Sequence, residues 1–353
     1  MRPKVLMIGP GRKVHGGISG MVNNYYDAGF DRMVDLCYVG TMEDGSKGKK
    51  LFCAVRACFL FLIKLPRYDI VHVNMASDSS YYRKSVFIRI AHFFHKEIVI
   101  HQHGGNFREF YEKELTDQGR NKMKKVLSMA DAFIVLGMVW KDFFGSIIGK
   151  EKISILPNAV QVPEQSGKEY GLHKILFLGR LCEEKGIGEL LGAASVLREK
   201  HPDVHLYLGG VWEDETLQKK AENLAGFVTD LGWVTGEMKE KYLRECDIFA
   251  LPSYFEGQPV SVLEAMAYAC AVTASDTGSI PELIIHEETG FLTPPRDAQA
   301  LTENLCRLLD DPELCRTFGE RARRKVKTEF SIEDNCRKLL NIYENLMNQQ
   351  NKQ

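Results

Sequence analysis

The chain has 353 residues, 46 Lys and Arg against 47 Asp and Glu for a formal net charge of −1, and 44 % of its residues are hydrophobic. This composition excludes disorder, collagen and coiled coil, and at roughly 100–200 residues per domain the length predicts two domains. Nine cysteines, odd in number and without a Cys-x-x-Cys pair, read as reduced thiols filling cores. The apolar run from Val5 to Ile8 is too short for a signal peptide, and no stretch reaches the roughly 18 apolar residues of a membrane span. A cytoplasmic protein is expected.

Short β-branched runs alternate with longer helix-like segments, the pattern of an α/β protein with parallel sheets. The predicted strands of the first half are Val5 to Ile8, Val34 to Val39, Ile70 to Asn74, Ile98 to His101, Ala132 to Leu136 and Ile153 to Leu156. Those of the second half are Ile175 to Leu178, Val204 to Leu208, Ile248 to Leu251 and Ala271 to Ala274. Each half is expected to form a doubly wound domain. The junction falls in Pro157 to His173, where apolar periodicity gives way to Pro, Gln, Ser, Gly and charge. The expected division is 1–165, 166–330, and a last helix with a fraying polar tail over 331–353. Residues 1–165 hold 24 basic and 16 acidic side chains, whereas residues 166–353 hold 22 and 31, so near-neutrality hides halves of +8 and −9.

After the first strand come Gly9-Pro10-Gly11 and Gly16-Gly17-Ile18-Ser19-Gly20. A dinucleotide fingerprint fails because Val14 stands at its third glycine, and no Walker lysine motif is present. Gly16 and Gly17 would let a ligand approach the backbone closely, or simply form a strand-to-helix turn. The helix-like Gly45 to Arg67 places Lys47, Lys49, Lys50, Arg56, Lys64 and Arg67 around apolar runs. It suits either an anionic membrane surface or a buried domain helix. His101 and His103 alternate on one face of a strand end, but no third ligand suggests a metal, and none is expected.

In the second half, Gly179-Arg180-Leu181 and Glu183-Glu184-Lys185-Gly186 follow a strand, giving a forked and a mobile cation suited to a diphosphate. Leu251 to Glu264 reads as strand, glycine loop and helix, with Pro259 at the helix start and free backbone N–H groups to hold an anion. Glu256 and Glu264 flank that start. A glycosidase needs carboxyls about 5–9.5 Å apart, and a wholly helical stretch would separate these backbones by roughly 12 Å. Asp276 to Glu282 is a further glycine turn before an N-capped helix.

Taken together, the Gly16-Gly17 loop, His103-Gly104, Pro157-Asn158, Gly179-Arg180 with Lys185-Gly186, Phe255-Glu256-Gly257 with Glu264-Ala265-Met266-Ala267, Gly278 to Glu282, and Thr289-Gly290-Phe291-Leu292 resemble the family 4 glycosyltransferases. The resemblance covers nearly the whole chain. It implies an α/β GT-B fold, two Rossmann-like domains facing a central cleft, with Phe330 to Met347 crossing back onto the first. It further implies retaining transfer from a nucleoside-diphosphate sugar to a saccharide or polyprenyl-linked saccharide, in capsular, exopolysaccharide or lipopolysaccharide assembly, without a metal or other cofactor. By the same resemblance Arg180 and Lys185 grip the diphosphate, Glu264 holds the ribose, and Glu256 orients the sugar. Gly257, Gln258 and Pro259 help hold sugar and phosphate, while Gly16, Gly17 and the catalytic His103 close the cleft from the first domain. One departure stands out: relatives often read Ala-x-Gly-x-Pro-Val where this chain has Ala267-Tyr268-Ala269-Cys270-Ala271-Val272. The alternatives are a nucleotide-sugar epimerase of the same fold and a non-catalytic saccharide-binding protein. Nucleic acid is not an expected partner, since no stacking aromatics interleave the basic residues. Association at the inner face of the plasma membrane is an expectation from Gly45 to Arg67.

Overall fold

β-Branched runs flanked by glycine and polar turns form two parallel sheets in the computed structural model, which describes residues 2–350. In the first sheet the strands are β1 (Lys4–Gly9), β2 (Asp35–Gly40), β3 (Ile70–Met75), β4 (Glu97–Gln102), β5 (Ala132–Val135) and β6 (Ile153–Ile155), in the order β2-β1-β3-β4-β5-β6. In the second they are β7 (Lys174–Leu178), β8 (His205–Gly209), β9 (Val228–Gly232), β10 (Ile248–Leu251), β11 (Ala271–Ser275) and β12 (Phe291–Thr293), in the order β12-β11-β10-β7-β8-β9. Every residue of β3, β5, β10 and β11 is buried, as parallel strands covered by helices on both faces must be. The ten predicted strands are all present. The sequence reading missed β9 and β12, the two edges of the second sheet; β9 buries only Val228 and β12 has three residues, so neither carries a strong apolar signal.

The chain separates into one unit of the described residues up to Ala159 together with those from Ile332, and a second unit of Val160–Ser331. In each sheet the order reverses once, between β1 and β3 in the first and between β7 and β10 in the second. Such a reversal opens a crevice at the carboxyl ends of the strands on either side.

The helix Ile332–Gln350 belongs to the first unit because its buried positions recur at helical spacing. Ile332, Cys336, Leu339, Tyr343 and Leu346 pack among Val5, Met21, Tyr25 and Phe30. Leu340 and Ile342, also expected on that face, are only partly buried against it. The Tyr25 hydroxyl donates to Asn335 Oδ1 at 2.7 Å, and the Tyr343 hydroxyl meets His72 Nδ1 at 2.7 Å. Asn348, where the polar tail was expected to begin, is still helical, since the helix runs to Gln350; residues 351–353 lie outside the described residues. All nine cysteines are free thiols and six are buried.

The helix Val260–Ala267 ends in a Schellman turn: Ala269 N–H donates to Met266 O at 3.0 Å and Cys270 N–H to Ala265 O at 2.9 Å. Ala269 therefore sits at φ +60°, a left-handed conformation that costs an L-residue roughly 1–2 kcal/mol. The Ala for Gly departure thus keeps the turn and retains the strain. Replacing Ala269 with Gly relieves it, offset by glycine's greater unfolded-state freedom, and we expect a gain of about 0.5–1 kcal/mol in urea unfolding. Tyr343→Phe leaves His72 Nδ1 buried without its partner, and the same measurement should show a loss of about 1–3 kcal/mol.

Candidate functional site

The second unit gathers three loops at its point of reversal: 179–186 after β7, 252–259 after β10, and 276–279 after β11. Backbone bonds tie them together. Tyr254 N–H donates to Glu184 O at 2.8 Å, and Ser279 N–H to Gly257 O at 2.9 Å. The Tyr254 hydroxyl donates to Glu189 Oε1 at 2.6 Å, and burial first, then this bond, pushes its pKa up to about 12. Two glycines permit the close approach. At Gly186 (φ +69°) a Cβ would lie 2.1 Å from Pro252 O, and at Gly278 (φ +57°) 1.8 Å from Glu256 O. No other residue fits either position without moving a neighbouring loop.

The loops bring Lys185 and Glu256 together, with Lys185 Nζ 2.5 Å from Glu256 Oε1 and both side chains largely buried. Glu256 lies in the loop rather than on the helix, which starts at Val260; the wholly helical separation from Glu264 therefore does not apply. Pro259 is the residue before the helix instead of its first residue, and no side chain caps that end. Glu264 faces Lys239 of the helix Gly236–Glu245, Nζ to Oε1 at 2.6 Å. Arg180 is about half exposed and its guanidinium reaches Glu213 at 2.8 Å and Glu184 at 3.4 Å. Gln258 is 4 % exposed. Sequence reasoning missed Glu213, Lys239 and Tyr254, whose partners lie 25 to 65 residues away along the chain. Ser279 stands at the N-cap of the helix Ile280–Leu283 that was expected to be capped, but its hydroxyl caps nothing; like that of Ser253 it is buried without a hydrogen-bond partner among the described residues.

In the first unit, Gly16 and Gly17 begin the helix Gly17–Asp27, and an added Cβ at either would meet nothing within 4 Å. The fold itself therefore does not demand glycine there. His103 follows β4 with its Nε2 2.9 Å from Asn74 Oδ1, and its ring lies 4.0 Å from that of His101, which in turn lies 5.4 Å from His72. Burial lowers all three imidazole pKa values, to about 3 for His72 and His103, so the cluster is neutral at physiological pH. His103 thus offers hydrogen bonds and not a positive charge. Among the described residues the three-ligand group with metal-binding spacing is His201, Cys306 and Asp310, which includes no residue of the candidate site.

Because the folded-state histidine pKa values are depressed, the unfolded chain takes up protons first as pH falls below about 6.5. The stability of the first unit should decline from there towards about pH 3, and His101→Asn should flatten that decline in urea midpoints measured across the range. In the second unit, Gly278→Ala should cost more than about 2 kcal/mol and displace Glu256, whereas Gly226→Ala, where a Cβ meets nothing, should be near neutral. Paired denaturation curves check this.

Residues 161–325, lying within the second unit, match the family model of glycosyl transferases group 1. Amylovoran biosynthesis glycosyltransferase AmsK of Erwinia amylovora is 36 % identical over 182 residues, 49 % of this chain and 45 % of that protein. The chain spans about half the length of the curated relatives it matches. Sucrose-phosphate synthase from Thermosynechococcus elongatus has the same fold, with a TM-score of 0.80 at 21 % identity over 98 % of this chain and 99 % of that one. So does Anabaena HepE in complex with UDP and glucose, with a TM-score of 0.77 at 17 % identity over 98 % of this chain and 100 % of that one. The fold is GT-B, and the segment that carries the candidate site is kin to the group 1 glycosyl transferases.

Proposed function

We propose that the protein is a retaining glycosyltransferase of family 4, moving a sugar from a nucleoside diphosphate to a saccharide or lipid-linked saccharide during surface-polysaccharide assembly. The observation that carries this reading is the convergence of Arg180, Lys185, Glu256 and an uncapped helix start at the point where the second sheet reverses its order. A helix N-terminus and two cations form an anion site, and the carboxylates beside them suit sugar and ribose hydroxyls. The UDP and glucose of the HepE complex support the donor class, and the amylovoran biosynthesis glycosyltransferase AmsK supports a biosynthetic sugar transfer.

In this reading Arg180 and Lys185 hold the diphosphate, Glu256 with Gly257, Gln258 and Pro259 orients the sugar, and Glu264 takes the ribose. Arg180 exchanges Glu213 for phosphate as the donor enters. The bond from the anomeric carbon to the leaving phosphate oxygen breaks while the acceptor hydroxyl bonds to the same face. The acceptor's proton passes to the departing diphosphate, so no protein nucleophile is required. Catalysis is then positioning together with stabilisation of the departing charge. His103, Gly16 and Gly17 serve the first unit's share of substrate recognition.

Removing a donor to developing charge costs on the order of 100-fold or more in turnover. We expect Arg180→Ala and Lys185→Ala each to lower sugar transfer at least about 100-fold. Arg180→Ala is the cleaner test, since its half-exposed side chain leaves no buried carboxylate unpaired. Near-wild-type turnover in both variants would overturn the site. Product analysis with and without a saccharide acceptor separates transfer from epimerisation and from binding alone. A thermal-shift panel of nucleotide sugars identifies the donor.

A further inference from the structure

The helices Lys47–Lys64 and Asp78–Phe93 connect β2 to β3 and β3 to β4, and Phe61 of the first packs edge-on against Phe87 of the second at 5.1 Å. Their buried sides supply the core of the first unit, through Cys53, Ala57 and Phe61 on one and Phe87, Ile88 and Ala91 on the other. The outward sides are apolar as well. Phe52, Val55, Phe59 and Ile63 recur at three- and four-residue spacing and are 57–70 % exposed. On the second helix Tyr82, Val86 and Phe93 form a parallel exposed stripe, with Phe93 75 % exposed. Ten of the eighteen large hydrophobic residues exposed in the described chain lie on this pair of helices and the residue following them. A patch of this kind on one face marks an interaction surface.

Charge decides what covers it. The helix Lys47–Lys64 contains five lysine and arginine residues and no acid, and its exposed Arg56 stands beside Phe52 and Phe59. Arg67 and Arg89 extend the exposed basic margin. Neither helix is long and apolar enough to cross a membrane. Apolar residues that enter the acyl boundary, flanked by cations that remain with phosphate headgroups, describe an interfacial surface. We propose that this two-helix face docks on an anionic lipid bilayer, with Phe52, Phe59 and Phe93 inserted and Arg56, Arg67 and Arg89 against the headgroups. The attachment does not depend on glycosyl transfer.

Flotation of the full chain with vesicles of two parts phosphatidylcholine to one part phosphatidylglycerol, at low salt and without nucleotide sugar, tests it. The wild-type protein should float, and less so as salt rises or when phosphatidylglycerol is omitted. The double variant Phe52→Ser, Phe59→Ser should bind at least about tenfold more weakly with an unchanged urea midpoint, since both side chains are exposed. Arg56→Glu with Arg89→Glu should abolish the preference for phosphatidylglycerol. Wild-type protein that stays in the bottom fraction, or serine variants that float as well as wild type, would overturn the proposal. So would a dimer in sedimentation that the serine variant dissolves without any vesicle binding, which would assign the face to a second copy. Failure here leaves sugar transfer to be judged by its own assay.

Discussion

The contact between Lys185 and Glu256 is the constraint on which the candidate site rests. A buried ammonium and carboxylate stabilise a fold only when they meet in good geometry, and leaving either alone is strongly unfavourable. Here the pair joins loops after β7 and β10, the two strands between which the sheet reverses its order. The backbone contacts at Gly186 and Gly278 hold the same loops at distances that no side chain would allow. The ionic and the steric constraints therefore act together on the loops at the point of reversal.

The rest of the electrostatics is arranged around neutralised charge. Glu264 has Lys239 and Arg180 has Glu213, so each expected ligand-binding group already has an opposite charge in place. A bound diphosphate would enter an exchange of partners, and half-exposed Arg180 can make that exchange at lower cost than a buried group. The first unit follows a different principle. Its histidines sit under desolvation strong enough to keep them neutral, which conserves hydrogen-bonding capacity beside the β4 loop.

Much of the fold was legible because buried parallel strands write continuous apolar runs into the sequence. Ten strands were readable that way, and the last helix, expected over Phe330 to Met347 from the resemblance and its apolar spacing, is present as Ile332–Gln350, while β9 and β12 were not readable, since a sheet edge needs little apolar surface. Lys185 and Glu256 were recognisable as chemistry-bearing residues, but 71 residues separate them and nothing local announces the pair. The segment Gly45 to Arg67 allowed two readings, a membrane surface or a buried helix. The structure shows a helix half buried through Ala57 and Phe61 and half exposed through Phe52 and Phe59.

By itself the sequence determined the α/β alternation, the apolar periodicities and the residue types at the candidate site, because these depend on neighbours a few positions apart. Which strands lie at the edges, which acids face Arg180 and Glu264's lysine partner, and which side of the helix Lys47–Lys64 meets solvent were decided by tertiary structure alone. Those properties arise from where the parallel crossovers bring distant segments, and a local pattern contains no record of that.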